Sequence, residues 1–306
     1  MITLGIDTSN YTTSVALFDG KNHKMSRKIL DVKKGMRGVR QSDGVFIHNR
    51  ELPLMIKEIV NGEKIDAVGV SVMPRNVYGS YMPVFTVGNG YAVAISSVLG
   101  VNCYEFSHQD GHIMAGIYSL GAYELLEEPF ISVHLSGGTT EILKTEYNGY
   151  NFNNKIIGGT LDISAGQLID RVGVNMGLKF PCGKTLEELA LKTEETISLP
   201  LSIKGAYTNL SGVETKLLND SETPKEVMAR SLLEYISKVL VKTINNAKTQ
   251  ANISKILIAG GVASNSIIRD NLISEFGKNI CFASKELSSD NAVGVAVLAY
   301  KSEEKI

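Results

Sequence analysis

Two histidines four residues apart, His108 and His112 in S-H-Q-D-G-H, and one distant carboxylate, Asp290 in S-S-D-N-A, are the residues of this chain best placed to do chemistry. On a helix, positions i and i+4 share one face, so both imidazoles reach a single ion, and a carboxylate from another segment completes two nitrogens and one oxygen. Such a set leaves coordination positions open for a substrate. The same spacing also serves a solvated or hydrogen-bonded helix face, and the pair alone does not decide between the two. Asp110, between the histidines, is a candidate support for the ligand histidines or a proton acceptor, with plain exposure on the helix as the alternative. H-x-x-x-H lacks the glutamate base of an H-E-x-x-H protease, which ranks a peptidase last. Cys103, Cys182 and Cys281 form no C-x-x-C pair, which argues against a zinc knuckle and for a reducing compartment.

The elements that must carry these groups are legible in part. Residues 2–18 read as apolar strand, small polar turn and apolar strand, and residues 130–143 repeat the pattern around Ser136-Gly137-Gly138-Thr139. A duplicated strand-turn-strand rich in Gly, Ser and Thr points to two related lobes, each with a hairpin tip of backbone amides suited to phosphate or carboxylate. Helical spacing runs through 49–60 (Leu52, Met55, Ile56, Ile59) and 88–98, then from a cap at Asp162 to about Met176. A long amphipathic helix is announced by Thr223-Pro224, as N-cap and first helical proline, and extends to about Ala251. Residues 255–265 give a buried strand, the Gly260-Gly261 turn and a helix start, a common way to hold a nucleotide and equally an ordinary strand-to-helix turn.

A chain of 306 residues, 43% hydrophobic, buries roughly three-quarters of its unfolded surface without disulfides, and its length favours two lobes over one core. The expected division is 1–118 and 119–306, with the last helix packing back on the first lobe and the crossing between Gly116 and Pro129. The N-terminus reads directly as a strand, without a basic segment, apolar run and cleavage site. No uncharged apolar run reaches the roughly 18 residues a membrane helix requires. A cytoplasmic protein without a membrane segment is expected. Net charge is −1, unlike an autonomous nucleic-acid binder. Residues 21–40 nevertheless hold Lys21, Lys24, Arg27, Lys28, Lys33, Lys34, Arg37 and Arg40 against Asp31 alone, either a phosphate-contacting stretch or a solvated strand and loop.

Eight motifs, in order from end to end, resemble the TsaD family of tRNA threonylcarbamoyladenosine synthase subunits, once called glycoproteases. They are G-I-D-T-S at 5–9, H-Q-D-G-H at 108–112, L-S-G-G-T-T at 135–140 and G-T-L-D-I-S-A-G-Q-L-I-D-R-V at 159–172. F-P-C-G at 180–183, L-S-G-V-E-T-K at 210–216, G-G-V-A-S-N at 260–265 and S-D-N-A at 289–292 complete the set. The resemblance implies an α/β, two-lobed actin-like ATPase fold with duplicated mixed-sheet lobes, as in sugar kinases and heat-shock ATPases. It implies one divalent metal ion, iron or zinc, on His108, His112 and Asp290. It also implies substrate or nucleotide contacts at His134, Leu135, Ser136, Gly137, Gly138, Asp170, Gly183 and Asn265, beside the Gly260-Gly261 turn. The implied ligand is an adenine nucleotide or threonylcarbamoyl-AMP, and the implied partners are tRNA and TsaB-like and TsaE-like proteins.

The chain departs from the family pattern beside the chemistry. Tyr11 and Thr12 stand where the family has an acidic pair, and Thr139 stands where S-G-G-H-T has histidine. Met73-Pro74-Arg75-Asn76-Val77 represents the G-P-G-L turn, and the segment from Gly183 to Leu210 is shortened. The implied reaction is transfer of a threonylcarbamoyl group from threonylcarbamoyl-AMP to the exocyclic amine of an adenosine in tRNA, with the metal as Lewis acid. No serine or cysteine is paired with a general base, which disfavours covalent catalysis. A small-molecule carbamoyltransferase and a non-catalytic paralogue that keeps nucleotide and metal are the alternatives.

Overall fold

The computed structural model describes residues 1–9, 12–30 and 40–305. In chain order the elements begin with β1 (Thr3–Ser9), β2 (Thr12–Phe18), β3 (His23–Ile29), α1 (Gln41–Val60), β4 (Ala67–Met73), α2 (Phe85–Leu99), β5 (Asn102–Ser107) and α3 (His108–Leu120). There follow β6 (Phe130–Leu135), β7 (Thr140–Tyr147), β8 (Phe152–Thr160), α4 (Ala165–Asn175), α5 (Gly183–Ala190), β9 (Ile203–Lys204), β10 (Tyr207–Thr208) and α6 (Ser211–Leu218). The last are α7 (Lys225–Ala251), β11 (Ile256–Ala259), α8 (Ser266–Phe276), β12 (Ile280–Phe282) and α9 (Val293–Glu303). No described helix is long and apolar enough to cross a membrane.

The chain divides into two compact units. The first comprises Met1–Glu127, Tyr147–Asn153 and Glu286–Ile306, and the second Glu128–Glu146 and Asn154–Lys285. The first break between the units follows Glu127, and the C-terminal segment with α9 belongs to the first unit.

The first unit is built on the sheet β3-β2-β1-β4-β5, antiparallel through β1, β2 and β3 and parallel from β1 to β4 to β5. Every residue of β1 and β2 is buried, because helices cover both faces. On one face Leu4, Ile6, Val15 and Leu17 pack with Leu52 and Met55 of α1 and Val87 and Ala92 of α2. On the other, α9 presses so close that a β-carbon on Gly5 would strike the carbonyl oxygen of Ala292, and one on Gly69 that of Val295. Glycine in a strand here marks close approach of another backbone.

The second unit repeats the plan in the sheet β12-β11-β6-β7-β8-β10-β9. Its hairpin-linked β6 and β7 are antiparallel, and β11 and β12 run parallel beside β6, as β4 and β5 do beside β1. The duplicated strand-turn-strand read from the sequence is thus the centre of two mixed sheets. Its core joins Ile131, Val133 and Leu135 of β6 to Leu168, Ile169 and Val172 of α4 and to Leu232, Ile236, Val239, Leu240 and Ile244 of α7, the stripe expected of the long helix.

Three helix starts differ from expectation. Helix α4 begins at Ala165 under a capping box of Ser164 and Gln167. Asp162 instead accepts the Leu210 and Ser211 amides at 2.9 and 3.1 Å, tying the 159–172 motif to L-S-G-V-E-T-K. In α7 the N-cap is Pro224, and the Thr223 hydroxyl donates to Asp220 at 2.7 Å. Gly260-Gly261 leads into one 3-10 turn, Gly261–Ser264, and α8 starts only at Ser266, capped by Asn265, whose side-chain oxygen accepts the Ile268 amide.

Candidate metal centre and glycine loops

In the first unit the polar groups gather at the C-terminal ends of the parallel strands, where open α/β sheets place their ligands. Ser107 ends β5 and caps α3, so His108 is the first helical residue and His112 follows one turn later on the same side. Asp290 is delivered by the turn before α9. Asn291, 3% exposed, shapes that turn by donating to the Leu287 and Ser289 carbonyls and accepting from Val293 N–H. The contact of α9 with α3 requires glycine, since a β-carbon on Gly294 would collide with the Gly111 carbonyl. Hence the glycines of G-I-D-T-S and H-Q-D-G-H both seat the helix behind Asp290.

His108 Nε2 and His112 Nε2 lie 3.0 Å apart, and each faces Asp290 Oδ1, at 3.4 and 3.3 Å. Donors held tetrahedrally about 2.0–2.1 Å from zinc are spaced about 3.3–3.4 Å from one another. The triangle therefore fits one ion, and two imidazole nitrogens with one carboxylate oxygen suit iron or zinc. Outside the triangle, Asp290 Oδ2 accepts from the Thr12 hydroxyl at 3.2 Å. His108 Nδ1 meets Asp7 Oδ2 at 2.7 Å.

Charge in this cluster is strongly coupled. Burial opposes a proton on His108, but the Asp7 and Asp290 carboxylates outweigh it and hold its pKa up at about 10. Burial likewise disfavours ionised Asp7 and Asp290, and the facing histidines more than reverse that, keeping both acids below the ordinary carboxylate range. A metal binding at His108 Nε2 would have to displace a proton there.

Asp110 has a structural position. Its side chain is fully buried; Oδ2 accepts from Ser107 N–H, the Ser107 hydroxyl and Asn76 Nδ2 at 2.9, 2.7 and 2.7 Å, and Oδ1 from Phe152 N–H at 3.3 Å. It closes the capping box of α3 and fastens the 74–77 loop, so the exposure weighed for it is not found. Three donors on Oδ2 and the Phe152 amide on Oδ1 tie the carboxylate to the fold around the first turn of α3.

The other sequence-derived site residues all lie in the second unit, linked in a ring of contacts. The tip after β6 is a tight turn: Ser136 N–H donates to the Thr139 carbonyl at 2.9 Å, and Thr139 N–H to Ser136 Oγ at 3.1 Å. The Gly137 carbonyl accepts from Ser164 Oγ at 2.7 Å, at the start of α4. Along α4, Asp170 Oδ1 accepts Cys182 N–H at 2.8 Å beside Gly183, where α5 begins, and burial pushes the Asp170 carboxyl up. On α5, Glu187 accepts from Ser266 N–H and Oγ at 2.7 and 2.6 Å, next to Asn265. Gly260, at φ 110°, closes the ring by packing on the Leu135 backbone. His134 is half-buried on β6, whereas Leu135 is a core side chain and offers only its backbone.

Four glycines of this ring have no packing reason to be glycine. A β-carbon on Gly137, Gly138, Gly183 or Gly261 would meet no atom within 4 Å, and none of the four has positive φ. Residues 46–297 match the TsaD family, described as tRNA N6-adenosine threonylcarbamoyltransferase. The chain belongs to the TsaD family. Among curated TsaD-family relatives, the tRNA N6-adenosine threonylcarbamoyltransferase of Thermosipho africanus is 29% identical over 100% of this chain and 95% of its own. That of Nanoarchaeum equitans is 28% identical over 98% of this chain and 93% of its own. The TsaD-family chain also shares its fold with a glucokinase of Streptomyces griseus solved with glucose and AMPPNP, at TM-score 0.56 and 12% identity, covering 98% of this chain and 100% of that one. The activator of 2-hydroxyisocaproyl-CoA dehydratase from Clostridium difficile, solved with ADPNP, aligns at TM-score 0.56 and 16% identity over 100% and 98%. Both belong to the actin-like ATPase class expected from the sequence.

Sequence reasoning about this TsaD-family site missed Asp7 and Ser71, whose hydroxyl donates to Asp7 Oδ2 at 2.5 Å. Asp7 was visible inside G-I-D-T-S at the end of a strand, the place where α/β sheets present ligands. Ser71 carried no local signal. Tyr11, Asp31, Lys33, Lys34 and Arg37 lie outside the described residues. In the described part of the basic stretch, Lys24 pairs with Glu63 at 3.1 Å, Lys28 with Glu51 at 2.7 Å, and Arg27 donates to the Glu286 carbonyl and Ser289.

Proposed function

We propose that this TsaD-family transferase moves a threonylcarbamoyl group from threonylcarbamoyl-AMP to the exocyclic amine of an adenosine in tRNA. The observation that carries the reading is the His108, His112 and Asp290 triangle, spaced as one ion requires, in a chain of this family. The amine nitrogen bonds to the carbamoyl carbon, the bond from that carbon to the phosphate oxygen breaks, AMP leaves, and the amine loses a proton. An aryl amine is a weak nucleophile, so positioning and charge stabilisation supply most of the acceleration.

His108 Nε2, His112 Nε2 and Asp290 Oδ1 would hold iron or zinc. When bound, the ion supplies a Lewis acid that offsets negative charge on a carbonyl or phosphate oxygen. Asp7 and Thr12 keep His108 and Asp290 turned inward, and Asp110 fixes the first turn of α3. In the second unit, Ser136, Gly137, Gly138, Gly183, Gly260, Gly261 and Asn265, with His134 and the Leu135 backbone, are proposed to bind the adenine nucleotide. The four glycines with open space support this, because they admit a ligand to the backbone. The free oxygen of Asp170 is the proposed acceptor for a ribose hydroxyl. tRNA as substrate, TsaB-like and TsaE-like partners and a cytoplasmic location complete the proposal.

The test is deletion of the gene with mass spectrometry of nucleosides from total tRNA. Loss of threonylcarbamoyladenosine, restored by the wild-type gene and not by a His108→Ala, His112→Ala double variant, supports the reading. Unchanged tRNA with a mass shift on a metabolite identifies a small-molecule carbamoyltransferase. No change in either, with nucleotide and metal bound by the purified protein, identifies a paralogue without turnover.

A further inference from the structure

We infer that Asp7 is the positioning residue that fixes which nitrogen of His108 faces the metal, an inference that rests on the metal-binding reading above. Its carboxylate lies at the end of β1, 1% exposed, with both oxygens committed. Oδ1 accepts Ser9 N–H at 2.8 Å; Oδ2 accepts the Ser71 hydroxyl at 2.5 Å and faces His108 Nδ1 at 2.7 Å. Ser9 N–H and the Ser71 hydroxyl point the carboxylate at the imidazole. An ionised carboxylate only accepts hydrogen bonds, so the proton of neutral His108 sits on Nδ1 and the lone pair on Nε2. That is the atom 3.0 Å from His112 Nε2 and 3.4 Å from Asp290 Oδ1. The carboxylate stands behind the imidazole, so Asp7 acts through His108 and is not itself a ligand. Hydrogen bonding of this kind fixes the ring's orientation and raises its basicity toward a metal.

Strand geometry makes the assignment specific. Successive β1 side chains alternate between faces. Thr8 points the other way, its hydroxyl donating to the Val84 carbonyl at 2.9 Å and accepting Gly88 N–H at 3.1 Å. Gly5 faces α9. Asp7 is thus the carboxylate of β1 that faces α3.

Asp7→Asn is the informative change. A carboxamide has one acceptor oxygen for three donors, and its NH2, turned to His108 Nδ1, drives the imidazole proton onto Nε2, the metal-facing atom. Zinc affinity, measured on the full chain by competition with a chromogenic chelator, is expected to fall roughly 10- to 100-fold in Asp7→Asn. Ser71→Ala, which keeps the carboxylate, is expected to lose much less. Nitrogen-15 NMR of zinc-loaded wild type is expected to show His108 protonated at Nδ1 and metallated at Nε2, a readout that needs no variant to fold. Asp7→Asn that folds and binds zinc as tightly as wild type, or His108 metallated through Nδ1, would overturn the role of Asp7. Wild-type protein that binds no zinc or iron would instead overturn the metal reading itself.

Discussion

Gly294 of α9 lies against Gly111 of α3 so closely that a β-carbon on Gly294 would overlap the Gly111 carbonyl. Asp290 precedes α9 and both histidines ride on α3, so this crossing sets the width of the triangle of His108, His112 and Asp290. Gly294→Ala must push the helices apart and is expected to cost about 1–3 kcal/mol, as overpacking does. Zinc binding should weaken with it. Gly90→Ala, on α2 with no atom within 4 Å of the added carbon, is the contrasting control. It should stabilise by roughly 0.4–1 kcal/mol and leave zinc affinity unchanged. Thermal melts with zinc titration separate the two; equal zinc affinity in Gly294→Ala and wild type would detach the crossing from the site.

Metal stoichiometry tests the triangle directly. Elemental analysis of purified protein is expected to give close to one iron or zinc per chain, falling sharply in His108→Ala and in His112→Ala. Thr12→Val keeps the methyl group and removes the hydrogen bond to Asp290 Oδ2, so it should weaken binding less than loss of a ligand. Stoichiometric metal in both histidine variants would place the site elsewhere.

Much of this site was legible because its chemistry needs rare residues at fixed spacing. His108 and His112 declare a shared helix face, and the double glycines declare backbone approach. What stayed hidden depended on the third dimension. Asp110 sits between the two histidines and reads either as a support or proton acceptor for the site or as an exposed helix residue, yet it is buried in hydrogen bonds from Ser107, Asn76 and Phe152, the last two far along the chain. Asp162 reads as a helix cap and instead binds amides some 48 residues away. In both cases the nearest sequence pattern lost to a more distant set of donors. The 3-10 turn after Gly260 was unreadable for a related reason: Gly260 is required by Leu135 on a neighbouring strand, not by the start of α8.

Adenine nucleotide at about 100 times its dissociation constant should stabilise the wild-type fold by about 2.7 kcal/mol. Gly261→Val is expected to abolish that gain, because the added side chain enters space that no protein atom fills. Stability without ligand should change little. Failure of AMP, ADP and ATP alike to shift the wild-type melt would remove the nucleotide reading of the glycine ring.

His48 makes the acid side of the stability profile predictable. Its ring on α1 is completely buried; Nδ1 faces the Thr13 hydroxyl at 2.8 Å, and Nε2 has no hydrogen-bond partner among the described residues. Burial pushes its pKa down to about 4, with the Asp7 carboxylate opposing. The folded protein therefore keeps His48 neutral, while the unfolded chain takes up a proton near pH 6.5. Stability is complete above that value and declines as pH falls toward 4, since the unfolded state binds more protons throughout that window. The full span is worth roughly 3 kcal/mol at about 1.4 kcal/mol per unit. His108 acts in the opposite sense in metal-free protein and offsets His48 near pH 7, fading below about pH 6. Its pKa is raised, so its contribution is intact below 6.5 and is lost only as pH rises toward about 10. Urea unfolding of metal-free protein at intervals from pH 6 to 4.5, where the His108 term has faded, should show wild type losing stability across the series. His48→Gln should be less stable at pH 7 but flatter by close to one proton in slope. An unchanged slope in that variant would mean that the acid sensitivity of this fold arises elsewhere, and that His48 is protonated alike in the folded and unfolded chain.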